Sequence, residues 1–312
     1  MVAEITAIIP TLNRAPVLQR TFESLALQEL QPAEIIVVDA SDNDETEKVC
    51  SLKFPKLDSV IIYERAREKG AAAQRNQAFE RDVKPVIFFM DDDIIFEPLC
   101  TQRLWNCIQS DKRIGAVNSM VTNQRYLTPG KLTRFMYRIM HGKNLSTYAG
   151  KVIGPAWNLL PEDQPNLPEC VEMEWVNTTC TMYRKEALPM PPFPSQFKGY
   201  SMMEDVTLSL IMARNWKLYN ARTARLFHDS QPGIHKNNHF KMSKMELVNR
   251  HYVVTKILKK KNFSTFFKMF ILEVFGITTA LTTLQGWKHL LPVLGGKFSA
   301  IAEIIFSKRN KE

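Results

Sequence analysis

The sequence lacks most of the signatures that would fix its chemistry at once. Neither GxxxxGK nor GxGxxG occurs, which disfavours P-loop enzymes and dinucleotide oxidoreductases. No CxxC occurs. The five cysteines, Cys50, Cys100, Cys107, Cys170 and Cys180, are odd in number and scattered, and they predict buried, reduced thiols of a cytosolic protein. The N-terminus has no basic segment followed by an apolar stretch and a small-residue cleavage site, because strand-like "EITAIIP" begins almost at once. The sequons at Asn144, Asn177 and Asn262 are therefore expected to stay unmodified. No internal repeat and no low-complexity tract is found. "DASDNDETEKVC" fails as an EF-hand, with Asp44 where Gly is required and Cys50 where Glu is required. "HKNNH" sets His235 and His239 four apart, but without a Glu after the first, so it is not HExxH and reads as a loop or helix start.

What is present points to a large folded chain. Its 312 residues suit one large domain, or one domain with an appendage. With 45% hydrophobic and 23% charged residues, a sizeable core is expected and global disorder is not. Lys and Arg number 41 against 32 Asp and Glu, a net charge of +9 that suggests an anionic partner. The basic residues are spread out and no nucleic-acid-binding module is recognisable, so no nucleic-acid partner is expected.

The first 120 residues alternate strand and helix signals. "ITAII" (ended by Pro10), "EIIVVDA", "SVIIYE", "PVIFFM" and "IGAVNSMV" read as strands. "PVLQRTFESLALQ", "DETEKVCSL", "GAAAQRNQAFERD" and "FEPLCTQRLWNCIQ" read as helices between them. Short apolar strands separated by helices predict an α/β fold whose parallel sheet is covered on both faces. Ligands of such sheets bind beyond the carboxyl ends of the strands. Residues 122–170 are rich in Gly, Pro and Asn and read as an insertion over that crevice, carrying one helix, "LTRFMYRIM". "VEMEWVNTTCTMYR" returns to strand character, "MMEDVTLSLIMARN" is a helix, and "KLYNARTARLFHD" suggests two short strands. "NHFKMSKMELVNRHYVVTKILKKK" predicts a long basic helix, followed by about fifty residues of mainly apolar helix.

"FFMDDDIIFEP" drives an apolar run straight into three adjacent carboxylates. Like charges in a row repel unless cations offset the repulsion, and a hard divalent ion such as Mg2+ or Mn2+ does so with oxygen ligands. Alternate residues of an extended segment point the same way, so Asp91 and Asp93 can share a site while Asp92 faces away. A solvated acidic turn is the plain alternative.

The order of the motifs is informative. "AIIPTLNR", "IIVVDASDNDET", "GAAAQRNQAF", "FFMDDDIIFEP", "WVNTTCTMYRKEAL" and "MMEDVTLSLIMAR" run over about residues 3–230, and with them the chain resembles the family 2 glycosyltransferases. These are inverting, nucleotide-sugar-dependent enzymes of GT-A fold. The resemblance implies a mostly parallel central sheet flanked by helices and a helical C-terminal extension. It implies a catalytic domain over 1–235, with a nucleotide-binding half at 1–120 and an acceptor half at 121–235. The extension then covers 236–312. Pro10 with Thr11, Asn13 and Arg14 would border the nucleotide, and Asp39 would bond base or ribose. Arg75 and Asn76 match the family's "RN" near the diphosphate. Asp91 and Asp93 match the DxD signature, with Asp93 the nearer metal ligand, Asp91 nearer the ribose, and Asp92 in the same donor-binding segment. His228 falls where a further metal or diphosphate contact is common. Glu204–Asp205 matches the element that supplies the base. D-A-S-D-N-D at 39–44 departs from the usual D-D-G-S-x-D, which leaves the base and ribose contacts open.

Ser201-Met-Met-Glu204 has the spacing of a capping box, which gives Glu204 a structural task and leaves Asp205 as the base, with Glu204 the second choice. The positive helix end would keep Asp205 ionised. Trp157 and Trp175 are candidate faces for an acceptor sugar, against a core role that is slightly favoured for Trp175. The expected activity is transfer of a hexosyl or deoxyhexosyl group from a nucleoside-diphosphate sugar to a hydroxyl of a glycan or lipid-linked acceptor, with Mg2+ or Mn2+, in cell-surface polysaccharide or lipid-linked glycan synthesis. A nucleotidyltransferase, or an inactive glycan- or membrane-binding module, is the alternative. The lysine run beside the apolar C-terminal stretch, which Lys268 and Glu273 interrupt, predicts interfacial contact with an anionic membrane more than a membrane span. A helical subdomain packing on the catalytic domain or making an oligomer is rated equal. The expected location is cytoplasmic, peripheral on the inner membrane face.

Overall fold

Apolar runs that bury both faces of a strand dictate the centre of the molecule. The computed structural model describes residues 1–231 and 237–309, with side chains to 306; His235 lies outside the described residues. In chain order the elements begin β1 (Val2–Thr11), α1 (Ala15–Leu25), β2 (Gln31–Asp39), α2 (Glu45–Cys50), β3 (Val60–Arg65) and α3 (Ala71–Phe79). There follow β4 (Val86–Met90), β5 (Ile94–Phe96), α4 (Cys100–Gln109), β6 (Ile114–Val121), α5 (Lys131–His141), β7 (Val152–Ile153) and β8 (Trp157–Asn158). Then come β9 (Cys170–Met173), β10 (Cys180–Arg184), α6 (Glu204–Met212) and β11 (Lys217–His228), and the chain ends in α7 (His239–Tyr252), α8 (Phe263–Ala280) and α9 (Leu284–Arg309).

One nine-stranded sheet runs β3-β2-β1-β4-β10-β6-β11-β5, with β9 on β11. The first four strands are parallel. Strand β10 enters antiparallel between β4 and β6, and β6 and β11 are parallel again. Helix α1 lays Leu18, Phe22 and Leu25 against the sheet at helical spacing, each worth about 1.5–3 kcal/mol when fully buried. They join Ile9, Val37, Phe88 and Met90 in the core.

Four local expectations are corrected. Pro10 does not end β1, which continues to Thr11; the ladder to β4 stops at Ile8, so at position 10 only β2 is paired. A proline is tolerated where one side of a strand has no ladder. Phe96 belongs to β5 and not to a helix, because Ile94–Phe96 adds to β11. The two strands read in "KLYNARTARLFHD" are one, interrupted by a bulge: its pairing to β6 jumps from Ala221↔Ser119 to Arg225↔Met120. The five thiols are not all reduced, since Cys107 and Cys170 are joined as a disulfide.

The chain divides into two compact units. One comprises Met1–Leu127, Ala149–Lys151 and Leu159–Gln231; the other comprises Thr128–Tyr148, Val152–Asn158 and the described residues from 237 onward. The expected insertion is thus split between them. In the second unit, charged residues inside apolar helices find partners. Glu246 of α7 pairs with Arg250 and with Lys297 of α9 (both 2.9 Å), and Lys297 also meets Glu273 of α8 at 2.6 Å. Arg250, buried, donates to the carbonyls of Pro155 and Ala156 at 3.1 and 3.2 Å.

In the first unit, Gly70 (φ +141°) starts α3 and bridges Gly199, and a Cβ there would sit 2.8 Å from the Gly199 backbone N and O. Gly70→Ala should therefore destabilise by about 1–3 kcal/mol. Gly130→Ala, at a position with open space, should stay within about 0.5 kcal/mol of the parent. Urea denaturation of both variants measures the contrast, and equal midpoints would contradict it.

Candidate active site

The acid triplet follows β4, and each carboxylate is held differently. Asp91 accepts from Arg75 Nη2 at 2.6 Å. Asp92 is buried and turned away, accepting from Thr11 Oγ1 (2.6 Å) and Arg14 Nη1 (3.1 Å). Asp93 accepts from the same Arg14 nitrogen at 3.1 Å and lies 2.9 Å from His228 Nε2. Thr21 of α1 donates to the carbonyls of Asp92 and Ile94, at 2.7 and 3.0 Å, which fixes the backbone of the turn. One ligand atom each from Asp91, Asp93 and His228 lies within 4.8 Å of the others. Two carboxylates and one imidazole form a donor set that suits a divalent ion such as Mn2+ or Mg2+.

Electrostatics separates the three acids. Burial raises the Asp92 carboxyl to about 6 against the pull of Arg14, with the charges of Asp93 and Asp91 adding to the rise. Burial also acts on Asp93, but the His228 hydrogen bond and the Arg14 charge outweigh it and hold that carboxyl below its ordinary value. The half-buried Arg14 guanidinium is lowered by its partial burial, but the charges of Asp92 and Asp93 outweigh this and raise it above its ordinary range.

Arg75, on α3, is 1% exposed. Its guanidinium lies over the rings of Phe89 and Phe193, at 5.8 and 6.0 Å. Its Nε and Nη1 are buried without a hydrogen-bond partner. Two unmet buried donors are costly, and a bound anion would satisfy them. Asn76, next in the helix, spends its amide on the backbone of Phe193, donating at 2.7 Å and accepting at 3.0 Å.

Glu204 and Asp205 open α6, but the capping box is absent. Ser201 Oγ donates to Gly199 O at 3.1 Å, and Met203 holds the cap position with a left-handed backbone (φ 73°). Glu204 is therefore the first helical residue and does not reach back to a cap amide. No capping role therefore separates the two acids, because Gly199, Ser201 and Met203 all turn left-handed and place the helix start two residues late. Nor does the helix end keep Asp205 fully ionised. Burial raises its carboxyl to about 6, while the Val206 amide (2.7 Å) and Arg75 oppose the rise. Glu204 is also raised well above its ordinary value, by burial and by the neighbouring Asp205 charge. The Asp91 charge acts on both acids, so the pair adjoins the triplet.

Asp39, at the end of β2, is fully buried, and its two oxygens are already engaged. It accepts from the Ser41 amide (2.9 Å), the Ser41 hydroxyl and Tyr63 OH (3.1 Å), with Arg65 at 3.5 Å. Asn13, left-handed at φ 54°, donates its amide to Ser41 Oγ at 2.6 Å. Pro10 and Thr11 end β1 beside this rim. Trp175 is buried, its indole N–H on Leu159 O at 2.7 Å, and has no free face for a sugar. Trp157 belongs to the second unit, between Tyr137 and Phe275 (centroids 5.0 and 6.1 Å).

Three residues at the site escape a sequence reading. Gln124 Nε2 lies 2.9 Å from His228 Nδ1, and Asn123 clamps the His228 backbone with its side-chain amide and oxygen. Neither sits in a motif. Tyr200, 42% exposed, feels the charges of Glu204, Asp91, Arg14 and Asp93; its only signal is an aromatic in the loop before "MMED".

A mostly parallel sheet with an acid triplet at a strand end fits the GT-A class, and the comparisons agree. The signature described as "Glycosyl transferase family 2" matches residues 6–189. The chain belongs to that family. An uncharacterized glycosyltransferase of Bacillus subtilis (strain 168), YwdF, is 35% identical over 97 residues, covering 30% of this chain and 34% of that protein. A PGL/p-HBAD biosynthesis glycosyltransferase of Mycobacterium tuberculosis (strain ATCC 25618 / H37Rv) is 29% identical over 136 residues, covering 42% and 53%. The matches span 34% and 53% of the length of these curated relatives. Among solved structures, the mannosyltransferase PcManGT from Pyrobaculum calidifontis, in complex with GDP-Man and Mn2+, superposes with TM-score 0.56 at 12% identity, covering 98% of this chain and 88% of that one. S. aureus TarS 1-349 gives 0.54 at 14%, covering 97% and 82%. These likenesses carry the fold.

The raised Asp205 carboxyl has a consequence for stability. Its proton is bound more tightly in the folded state than at the ordinary value of 3.8. Its contribution is therefore present below pH 3.8 and lost as pH rises through 6. Asp205→Asn should be more stable than the parent by about 1–3 kcal/mol at pH 7, with the gap closing toward pH 4. Denaturant titrations at both pH values check this, and a gap independent of pH would contradict it.

Proposed function

We propose that the protein is a metal-dependent inverting glycosyltransferase, moving a hexosyl or deoxyhexosyl group from a nucleoside-diphosphate sugar to a hydroxyl of a glycan or lipid-linked acceptor in cell-surface glycan synthesis. The observation that carries the reading is the juxtaposition, in one unit, of three groups. They are the Asp91–Asp93–His228 cluster, an arginine with two unmet buried donors, and the Glu204–Asp205 pair.

Asp91, Asp93 and His228 would hold Mg2+ or Mn2+, which when bound supplies Lewis-acid neutralisation of the leaving diphosphate. Arg75 would donate from Nε and Nη1, which open on different edges of the guanidinium, to diphosphate oxygens. Pro10, Thr11, Asn13, Arg14 and Asp39 would line the nucleotide. Since Asp39 is already bonded by Tyr63 and Ser41, its contact with base or ribose would draw on the Arg65 edge of that cluster. The acceptor oxygen attacks the anomeric carbon, the bond to diphosphate breaks on the opposite face, and the proton passes to Asp205. A carboxylate near pKa 6 is a better base than one at 3.8 and is still ionised at neutral pH. Glu204, whose carboxyl burial and the Asp205 charge raise well above its ordinary value, is the second choice. Residues 1–235 would form the catalytic domain and 236–312 an extension.

The last two helices support a peripheral cytoplasmic location. Phe263–Ala280 and Leu284–Phe306 are each long and apolar enough to cross a membrane. Yet Glu273, Lys297 and Glu303 within them pair with α7 or with each other, which favours helices lying on a surface.

The test uses UDP-GlcNAc and GDP-Man, donors named in neighbouring structures, with Mn2+ and release of nucleoside diphosphate as the readout. Asp205→Asn should lose rate by about 10²–10⁴ with donor binding kept, and Glu204→Gln should lose far less. Asp93→Ala should lose the metal-dependent part of donor binding in calorimetry. Full activity in Asp205→Asn would reassign the base, and pyrophosphate release from a nucleoside triphosphate would replace the whole reading.

A further inference from the structure

A cavity of about 320 Å3 lies within the second unit, at the small end of ligand-sized pockets. Its walls come from the end of α5, the β7 turn and the segment entering α8. The polar groups on it are one-sided. Lys260 and Lys268 line it, and neither has a carboxylate within ion-pairing distance among the described residues. Lys268 donates once, to Met140 O at 2.9 Å, which leaves two of its three ammonium donors. His141, beside it, has a buried Nδ1 without a partner. The hydroxyls of Ser264 and Thr265 complete the lining, and no Asp or Glu contributes. Two ammonium groups with hydroxyl donors match the oxygens of a phosphate.

What adjoins this cavity selects the source of the phosphate. Helix α8 starts at its rim and exposes Phe263, Phe267, Phe270 and Val274 at 83, 50, 64 and 41%. Their spacing of four, three and four places them on one stripe. The acid within α8, Glu273, is turned to Lys297 and Arg250, so it does not interrupt that stripe. A cationic pocket at the head of an aromatic stripe has the amphiphilic layout of a phospholipid. Lys259 and Lys261 flank the pocket and add to the attraction of an anionic leaflet.

We propose that this pocket binds the headgroup phosphate of an anionic membrane phospholipid whose acyl chains lie along the α8 stripe. The inference rests on the surface contact of the last two helices and is independent of the donor site. The full-length protein is floated with vesicles of phosphatidylcholine alone and of phosphatidylcholine mixed with phosphatidylglycerol, and nucleoside diphosphate release is followed in parallel. The mixed vesicles should bind about tenfold more strongly. Lys260→Glu should abolish that preference, whereas Lys261→Glu, with the same change in charge outside the cavity, should reduce it only a few-fold. Lys268→Gln should behave like Lys260→Glu. Phe267→Ser should weaken binding to both kinds of vesicle. Melting curves report folding of each variant, and donor turnover should be unchanged in Lys260→Glu. Equal losses in Lys260→Glu and Lys261→Glu would overturn the pocket and leave diffuse surface charge. Binding to neither vesicle would overturn the surface contact itself, whatever the donor assay reads. A melting temperature raised by inorganic phosphate in the parent but not in Lys260→Glu, without vesicle binding, would overturn the lipid assignment in favour of a soluble phosphate.

Discussion

Three carboxylates follow one another at the end of β4, two of them buried and the first half-buried, and holding them is the constraint around which the first unit is arranged. Each needs its own compensation, because adjacent like charges in a poorly hydrated site repel strongly. Arg75 takes Asp91, Thr11 and Arg14 take Asp92, and Arg14 with His228 takes Asp93. These partners come from the ends of β1 and β11 and from α3, so the sheet order itself brings them together. Even so, the compensation is incomplete. Burial still lifts Asp92 to about 6, and Arg75 keeps two unmet donors. The site thus carries surplus acid on one side and surplus donor on the other.

Much of this is legible from residue order alone. The strands β1 to β4 and β6 are short apolar runs punctuated by Gly, Pro and polar turns, and such runs announce themselves. Asp91 and Asp93 come together with Asp92 turned away, as alternation in an extended segment predicts, but they do so in the turn between β4 and β5 rather than in a strand. What stays hidden is non-local. Ile94–Phe96 is a strand only because β11 offers an edge 130 residues later in the chain. Gln124 and Asn123 matter only because they meet His228. Ser201 matches a capping box in sequence, but the left-handed turns at Gly199, Ser201 and Met203 decide otherwise, and no propensity reports such a run. The Cys107–Cys170 pair bridges 63 residues, a separation on which scattered spacing is silent; with it, cysteine usage no longer argues for a reducing compartment.

The second unit solves a different problem. Helices α8 and α9 are long and apolar enough to cross a membrane yet carry charges at intervals, and with those of α7 the charges converge on Glu246, Glu273, Arg250 and Lys297. Removing one member of such a network would strand the others in a dry interior. The same convergence ties the unit together while large apolar residues such as Phe263, Phe270, Leu291 and Phe298 stay exposed on α8 and α9.

The link between Asn76 and Phe193 spans 117 residues and is made twice, once by the amide and once by its oxygen. Phe193 also stacks beneath Arg75, and six residues further on Gly199 is bridged to Gly70. The segment leading to Glu204 is thus stitched at two points to the helix that carries the arginine. The guanidinium and the carboxylate pair therefore lean on one shared support, and slack in that stitching would loosen both.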